Sequence, residues 1–152
     1  MRHLIERVLE LAEEEEGPSV RPTSVEEMES NDAELRRLLE SLQPRIKVYG
    51  VGGAGCNAVS RLHEEGLFEN RFVTGHAINT DAQALLMSPL ENKVLIGRTA
   101  RGRGAGGDPT KGEAAALESE NNLRRITEDT QLAIITAGMG GGTGTGAAPV
   151  IA

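Results

Sequence analysis

The stretch of sequence that decides the fold is Gly138-Met139-Gly140-Gly141-Gly142-Thr143-Gly144-Thr145-Gly146, which directly follows the apolar run Leu132–Ala137. A buried strand that leads straight into a glycine-rich turn is typical of parallel α/β sheets, where such turns bind phosphate groups. Backbone N–H groups of the turn can surround phosphate oxygens, and the hydroxyls of Thr143 and Thr145 add donors. We expect a helix to begin near Gly146 and to direct its positive end at the same anion.

A second glycine-rich turn, Gly50–Asn57, follows the predicted strand Ile46–Val51. Its glycines at 50, 52 and 55 match the dinucleotide fingerprint, with Asp81 as a possible ribose acceptor. Alone, this turn leaves an NAD-binding oxidoreductase open. The turn at 138–146 favours a polyphosphate held from two sides, because a dinucleotide site does not need it. The sequence lacks the P-loop pattern with its lysine, and Lys111, the one nearby candidate cation, is more simply a solvated helix residue.

From residue 45 onward, apolar runs and helical patterns alternate. Strands are predicted at Ile46–Val51, Phe72–Ile78, Val94–Ile96 and Leu132–Ala137, and helices at residues 57–66, 81–87 and 111–126. Strands interleaved with helices indicate a parallel sheet covered on both faces. The predicted fold class is therefore α/β, with a Rossmann-like parallel sheet flanked by helices.

The first 44 residues form a separate acidic segment. Residues 3–16 are predicted to be helical, and Gly17-Pro18 interrupts the pattern. A second helix is expected after Thr23 or Ser24, where Ser24–Glu27 matches a capping box, and Pro44 stops it. The segment is either a peripheral amphipathic extension or an arm that binds a partner or lies near a membrane, although its acidity argues against anionic lipid. We predict a helical N-terminal extension over residues 1–44 and a nucleotide-binding domain over residues 45–152.

Composition excludes several classes of protein. A net charge of −7 with one Tyr and two Phe argues against nucleic-acid binding. The single Cys56 cannot form an internal disulfide and suits a reducing cytosol. No apolar run approaches the roughly 18 residues needed to span a bilayer, and the N-terminus has no signal-peptide core. The three histidines show no metal-ligand spacing. We predict a cytoplasmic protein without membrane insertion, nucleic-acid partner or protein-bound metal site.

The sequence stops at Ala152, six residues after Gly146. A helix that begins near Gly146 would have fewer than two turns before that point. We therefore expect a truncated domain.

Four ordered motifs resemble the tubulin/FtsZ family of GTPases. They are Ile46–Gly55 followed by Asn57-Ala58-Val59, Ile78–Leu85, Gly104–Pro109, and Gly140–Ala152. The third motif and the N-terminal extension are most similar to archaeal members. The resemblance implies that residues 45–152 are the N-terminal part of a GTP-binding domain, which binds GTP or GDP together with Mg²⁺.

The resemblance also implies roles for individual residues. The first loop would approach the α- and β-phosphates through Gly53, Ala54, Gly55, Cys56 and Asn57, with Asn57 also near the guanosine. The third loop would sense the γ-phosphate through Ala105, Gly106 and Gly107, and the last loop would wrap the phosphates with Gly142, Thr143, Gly144, Thr145 and Gly146. Asn79 and Asp81 would lie near the γ-phosphate and the water shell of Mg²⁺, which we prefer to the ribose role for Asp81.

Two positions depart from the family pattern. Arg103 stands where the family tends to have an apolar residue, which could alter the packing of the third loop or its response to the γ-phosphate. Cys56 stands where Gly or Asn is more common. A phosphate beside the thiol disfavours its ionisation, so we expect an inert thiol and not a redox switch.

The resemblance implies a cell-division protein that polymerises head-to-tail into the filaments of a division ring at midcell. GTP would be hydrolysed at subunit junctions, where the next subunit supplies an acidic loop. That loop, the guanine-reading residues and a tail for membrane-tethering adaptor proteins are expected further along the chain. We therefore predict no catalytic residue within these 152 residues and negligible hydrolysis by them alone. The alternatives are a related cell-shape protein not dedicated to division and the NAD-binding oxidoreductase.

Overall fold

The computed structural model describes residues 25–152, with side chains described from residue 31 onward. The chain divides into two units, and the boundary along the sequence lies between Leu42 and Gln43. The described part of the first unit is one helix, α1 (Val25–Leu42), at the place where the second N-terminal helix was predicted. The predictions for residues 3–16, for Gly17-Pro18 and for a cap at Ser24 lie outside the described residues.

The second unit, Gln43–Ala152, is built on one four-stranded sheet. Its strands are β1 (Ile46–Val51), β2 (Val73–Asn79), β3 (Asn92–Leu95) and β4 (Leu132–Ala137). They lie in the order β3-β2-β1-β4, and every neighbouring pair is parallel. This confirms the predicted α/β class with a parallel sheet. β1 and β4 have the predicted bounds, whereas β2 and β3 are shifted by one or two residues.

Five helices connect and cover these strands in the second unit. They are α2 (Gly52–Glu64), α3 (Ala82–Met87), α4 (Pro109–Glu118), α5 (Glu120–Thr127) and α6 (Gly142–Ile151). Short 3₁₀ turns occur at Leu67–Glu69 and Arg98–Ala100.

Three helix predictions were wrong in their bounds. The first helix begins at Gly52 and not at residue 57, and the last begins at Gly142 and not near Gly146. Most of the first glycine-rich turn and about half of the second are therefore helical. The segment 111–126 is broken at Ser119, whose hydroxyl Oγ accepts a hydrogen bond from the Gly97 N–H at 3.0 Å. This contact with the loop after β3 fixes Ser119 at a ψ of 11°, outside helical geometry.

Both faces of the sheet are covered by apolar side chains. One cluster, which includes Tyr49, Ile78 and Leu123, lies against the side of α4, α5 and α6. The other, which includes Val48, Cys56 and Val59, lies under α2. Across residues 25–152, no helix has the length and apolar character required to cross a bilayer.

Candidate functional site

The two glycine-rich turns meet because of the strand order. β1 lies between β2 and β4, so the chain leaves β1 towards one side of the sheet and returns to β4 on the other. Ligands of parallel α/β sheets bind at such a switch point, outside the carboxyl ends of the strands. A cavity of about 310 Å³ lies there, and its lining is Val51, Gly52, Gly53, Ala54, Gly138, Gly140, Gly141, Gly142, Thr143 and Gly144.

The glycines of this cavity are of two kinds. A Cβ atom at Gly52, whose φ is +72°, would lie 2.8 Å from the backbone nitrogen of Gly144. This glycine therefore permits the two turns to touch. By contrast, Gly53, Gly140 and Gly141 have no atom within 4 Å of a Cβ position. Their missing side chains leave open space, which a ligand can occupy.

The helices that begin at this cavity have uncapped N-termini. Neither α2 nor α6 has a side-chain cap or an acidic residue in its first turn. The helices α3 and α4, in contrast, are capped by the side chains of Asp81 and Asp108. The first N–H groups of a helix lack partners within it, and they carry the positive end of its dipole. Two such ends in one cavity without charged side chains form a site for an anion.

The two threonines of α6 differ in their surroundings. The Thr143 hydroxyl is buried and lies 2.7 Å from the Thr80 hydroxyl, and either oxygen can donate. The Thr145 Oγ1 atom is buried without a hydrogen-bond partner among the described residues. Both were predicted to donate to phosphate, and only the Thr145 hydroxyl is unengaged. Sequence reasoning missed Thr80, although it lies inside the motif Ile78–Leu85.

The loop that precedes α4 lies against the start of α6. A Cβ atom at Gly142 would be 2.7 Å from the Asp108 nitrogen and 2.8 Å from the Ala105 Cβ atom. Ala105 is buried, whereas Gly106 and Gly107 have positive φ angles and open space around them. The structure thus brings the third predicted loop to the edge of the cavity. Lys111, a possible cation here, is 3.9 Å from the Asp108 carboxylate and largely exposed.

Asn79 and Asp81 lie at the end of β2, beside this loop. Asn79 is 3% exposed, and its Oδ1 accepts a hydrogen bond from the Asp81 N–H at 3.3 Å. The Asp81 Oδ1 atom accepts from the backbone nitrogens of residues 83 and 84 as the cap of α3. Within residues 25–152, no group of three or more His, Cys, Asp or Glu could hold a metal ion.

The remaining residues predicted for the first loop face different directions. Cys56 is buried, and its thiol donates to the carbonyl oxygens of Gly50 at 3.3 Å and Ile78 at 3.6 Å. Burial raises the pKa of the Cys56 thiol to about 11, in agreement with an inert thiol. A Cβ atom at Gly55 would lie 2.2 Å from the Thr136 oxygen, so this glycine permits close packing of α2 on the sheet. Asn57 is exposed.

Comparison with known proteins identifies a family that shares this sequence. Residues 45–152 match the model of the Tubulin/FtsZ family, GTPase domain. Cell division protein FtsZ 1 of Pyrococcus furiosus is 49% identical over 156 residues, which are 100% of this chain and 40% of that protein. Cell division protein FtsZ of Rickettsia bellii is 54% identical over 112 residues, which are 73% of this chain and 24% of that protein.

Solved structures agree with this match. An empty FtsZ dimer from M. jannaschii has a TM-score of 0.71 and 45% identity, covering 80% of this chain and 35% of that one. A GTPγS-bound protofilament of CetZ2 from Haloferax volcanii has a TM-score of 0.63 and 30% identity, covering 70% and 34%. The chain therefore spans about 40% of the length of the archaeal relatives that it matches from end to end.

These similarities do not favour the dinucleotide enzyme that the first glycine turn left open. The match to the family model covers both glycine turns, the loop before α4 and all four strands of the sheet. The chain belongs to the tubulin/FtsZ family of GTPases, and residues 45–152 carry its match to the GTPase domain.

Proposed function

We propose that this chain binds GTP and GDP in the cavity between β1 and β4, as part of a cell-division GTPase. The observation that carries the proposal is the pair of uncapped helix N-termini in one cavity that has no charged side chain in its lining. Backbone N–H groups arranged in this way suit the phosphates of a nucleotide. The cell-division names of the archaeal relatives support the biological role.

In this proposal the residues of α6 hold the phosphates. The N–H groups of Gly142, Thr143 and Gly144 donate to phosphate oxygens, and the unengaged Thr145 hydroxyl adds a donor. Gly146 serves the site by permitting the contact with α4, because its Cβ position lies 2.0 Å from the Pro109 oxygen. The Thr143 hydroxyl acts through its bond to Thr80, which fixes α6 to the end of β2.

The first and third loops complete the proposed site. Gly53 and Ala54 contribute N–H groups of the first turn of α2, whereas Gly55 and Cys56 serve through packing below it. Asn57 is exposed and free to reach the nucleoside. Ala105, Gly106 and Gly107 flank the start of α6, where they contact the terminal phosphate.

Mg²⁺ fits this site as a companion of the nucleotide, held mainly by phosphate and water. One Asp81 oxygen is engaged as the cap of α3, which leaves the other for the water shell of the ion, with the Asn79 amide beside it. Mg²⁺ prefers oxygen ligands and commonly keeps several waters. When bound, it would neutralise charge on the phosphate groups.

For the whole protein, we propose head-to-tail filaments in the cytoplasm, gathered at the division site, with hydrolysis at the subunit junctions. The relatives of known structure include a dimer and a protofilament, which support self-association. Adaptor proteins would tether the filaments to the membrane. Residues 1–44 form the helical extension and residues 45–152 the nucleotide-binding part, which binds GTP without hydrolysing it when alone.

Competition binding tests this function on the purified 152-residue chain. A fluorescent GTP analogue is bound in the presence of Mg²⁺ and then displaced with GTP, GDP, ATP or NAD⁺. We expect GTP and GDP to displace the analogue and NAD⁺ to leave it bound. Preferential displacement by NAD⁺ would refute guanine-nucleotide binding. Phosphate release measured in parallel should be negligible, and turnover equal to that of a full-length archaeal relative would contradict the proposed inactivity.

A further inference from the structure

The loop between β3 and α4, which leads to the proposed phosphate site, carries three arginines. Arg98, Arg101 and Arg103 are exposed, and none has an ion pair with another residue of the described part of the chain. Lys111, the other nearby cation, is already close to the Asp108 carboxylate. Unpaired cations next to an anion site are candidates for direct contact with the anion.

Arg103 is tied to the wall of the cavity through its neighbours. It forms an isolated antiparallel bridge with Asp81, an arrangement that holds the two Cα atoms about 5 Å apart. The next residue, Gly104, donates its N–H to the Thr80 oxygen at 3.1 Å. The Thr80 hydroxyl in turn bonds to Thr143, which lines the cavity. The backbone of Arg103 is therefore connected to the cavity wall through Gly104 and Thr80.

Arg98 lies at the other end of the same loop. The adjacent Thr99 N–H donates to the Glu118 carboxylate at 3.2 Å, which fixes this end of the loop beside the last residue of α4. The backbone just before Arg98 also approaches Thr80, whose Cγ2 atom lies 4.0 Å from the Cβ position of Gly97. The backbone bridge to Asp81, however, is made by Arg103. Because Arg98 carries the same charge on the same loop without that bridge, it is the control for Arg103.

We propose that Arg103 is a specificity-determining residue that contacts the terminal phosphate of GTP and favours the triphosphate over GDP. This inference rests on the proposed function. The cavity lining offers N–H groups and hydroxyls without a cation. Arg103 is the arginine of this loop whose backbone is bridged to Asp81, so it is the cation placed to meet the additional charge of a third phosphate. The Asp81 carboxylate would repel the terminal phosphate, and the Arg103 guanidinium offsets this repulsion. Guanidinium groups bind phosphate through strong, charge-assisted hydrogen bonds.

Equilibrium binding of GTPγS and of GDP tests this proposal in the full 152-residue chain, with Mg²⁺ at 150 mM salt. Arg103→Leu should weaken GTPγS binding by about tenfold and leave GDP binding unchanged, because only the triphosphate reaches the guanidinium. Arg98→Leu, which removes the same charge from the same loop, should change neither. Arg103→Lys keeps the charge and should retain part of the preference for the triphosphate. Thermal unfolding of each variant checks the fold.

An equal loss of GTPγS and GDP affinity in Arg103→Leu would overturn the proposal, as would an equal loss of triphosphate preference in Arg98→Leu. If Arg103→Leu does not fold, a partial loss of preference in a folded Arg103→Lys still supports a guanidinium contact, and unchanged preference there refutes it. A parent chain that binds neither nucleotide would refute the proposed function itself. A parent chain that binds both, with unchanged preference in Arg103→Leu, would refute only the role of Arg103.

Discussion

The contact between α4 and α6 gives a sharp test of how glycine builds this site. A Cβ atom at Gly146 would lie 2.0 Å from the Pro109 oxygen and 2.6 Å from the Glu113 nitrogen. Ordinary contact begins at 3.4 Å, so Gly146→Ala has to separate the two backbones by about 1.4 Å (3.4 minus 2.0). Overpacking of this kind costs about 3 kcal/mol. Replacing glycine inside a helix returns about 1 kcal/mol, which leaves a net destabilisation of about 2 kcal/mol.

Urea unfolding followed by circular dichroism measures this change, since the chain has no Trp and one Tyr. A loss of about 2 kcal/mol corresponds to a decrease in the melting temperature of about 8 °C. Gly53→Ala is the control, because nothing lies within 4 Å of its Cβ position and its φ is not positive. The control should be as stable as the parent or slightly more stable. If Gly146→Ala unfolds like the parent, close packing of α4 on α6 does not explain this glycine.

Three further predictions follow from other residues. Gly140→Ala should leave the free energy of unfolding within about 0.5 kcal/mol of that of the parent, because its Cβ position is open. The same substitution should weaken GTP binding about tenfold, as measured by titration, and unchanged binding would place the phosphates elsewhere. The Cys56 thiol, whose pKa is raised to about 11 by burial, should resist alkylation at pH 8 in the folded chain and react in urea; rapid labelling of the folded chain would contradict its burial. Burial lowers the pKa of His76 to about 4 from its usual 6.5, so the free energy of unfolding should hold above pH 6.5 and decrease as the pH falls towards 4. In His76→Asn this decrease should be smaller by about 2 kcal/mol in urea titrations. This value is lower than the full pKa shift would give, because solvent screens part of the interaction. An equal dependence of the free energy of unfolding on pH in both chains would show that His76 is not the titrating group.

The strands were predictable because their signals are local. Ile46–Val51 and Leu132–Ala137 are β-branched or apolar runs that end at glycine, and the structure places both strands within those bounds. The break at Ser119 was not predictable, because it depends on a hydrogen bond from Gly97, which is 22 residues away. Helix propensity over 111–126 contains no sign of this tertiary contact.

The glycine turns show the opposite limitation. Glycine disfavours helix, so the sequence pattern placed the helix starts after the last glycines. In the structure the helices begin at Gly52 and Gly142, and neighbouring backbone atoms lie too close to both glycines to permit a side chain. The convergence of the loops was predicted, and the pairing of Thr143 with Thr80 was not, because it depends on the relative position of β2 and α6. The predicted ligand roles of the fifteen site residues remain predictions.

The uncapped starts of α2 and α6 have a consequence for how the folded state is maintained. Most helices carry their capping group in the chain, as α3 does with Asp81. In the proposed function, the group that completes α2 and α6 is a nucleotide, which dissociates. The nucleotide is then an exchangeable part of the fold, and the stability of the second unit increases with the logarithm of its free concentration once this exceeds the dissociation constant. Nucleotide occupancy could then be measured as a change in melting temperature, because the backbone groups that bind the ligand also determine the stability of the second unit.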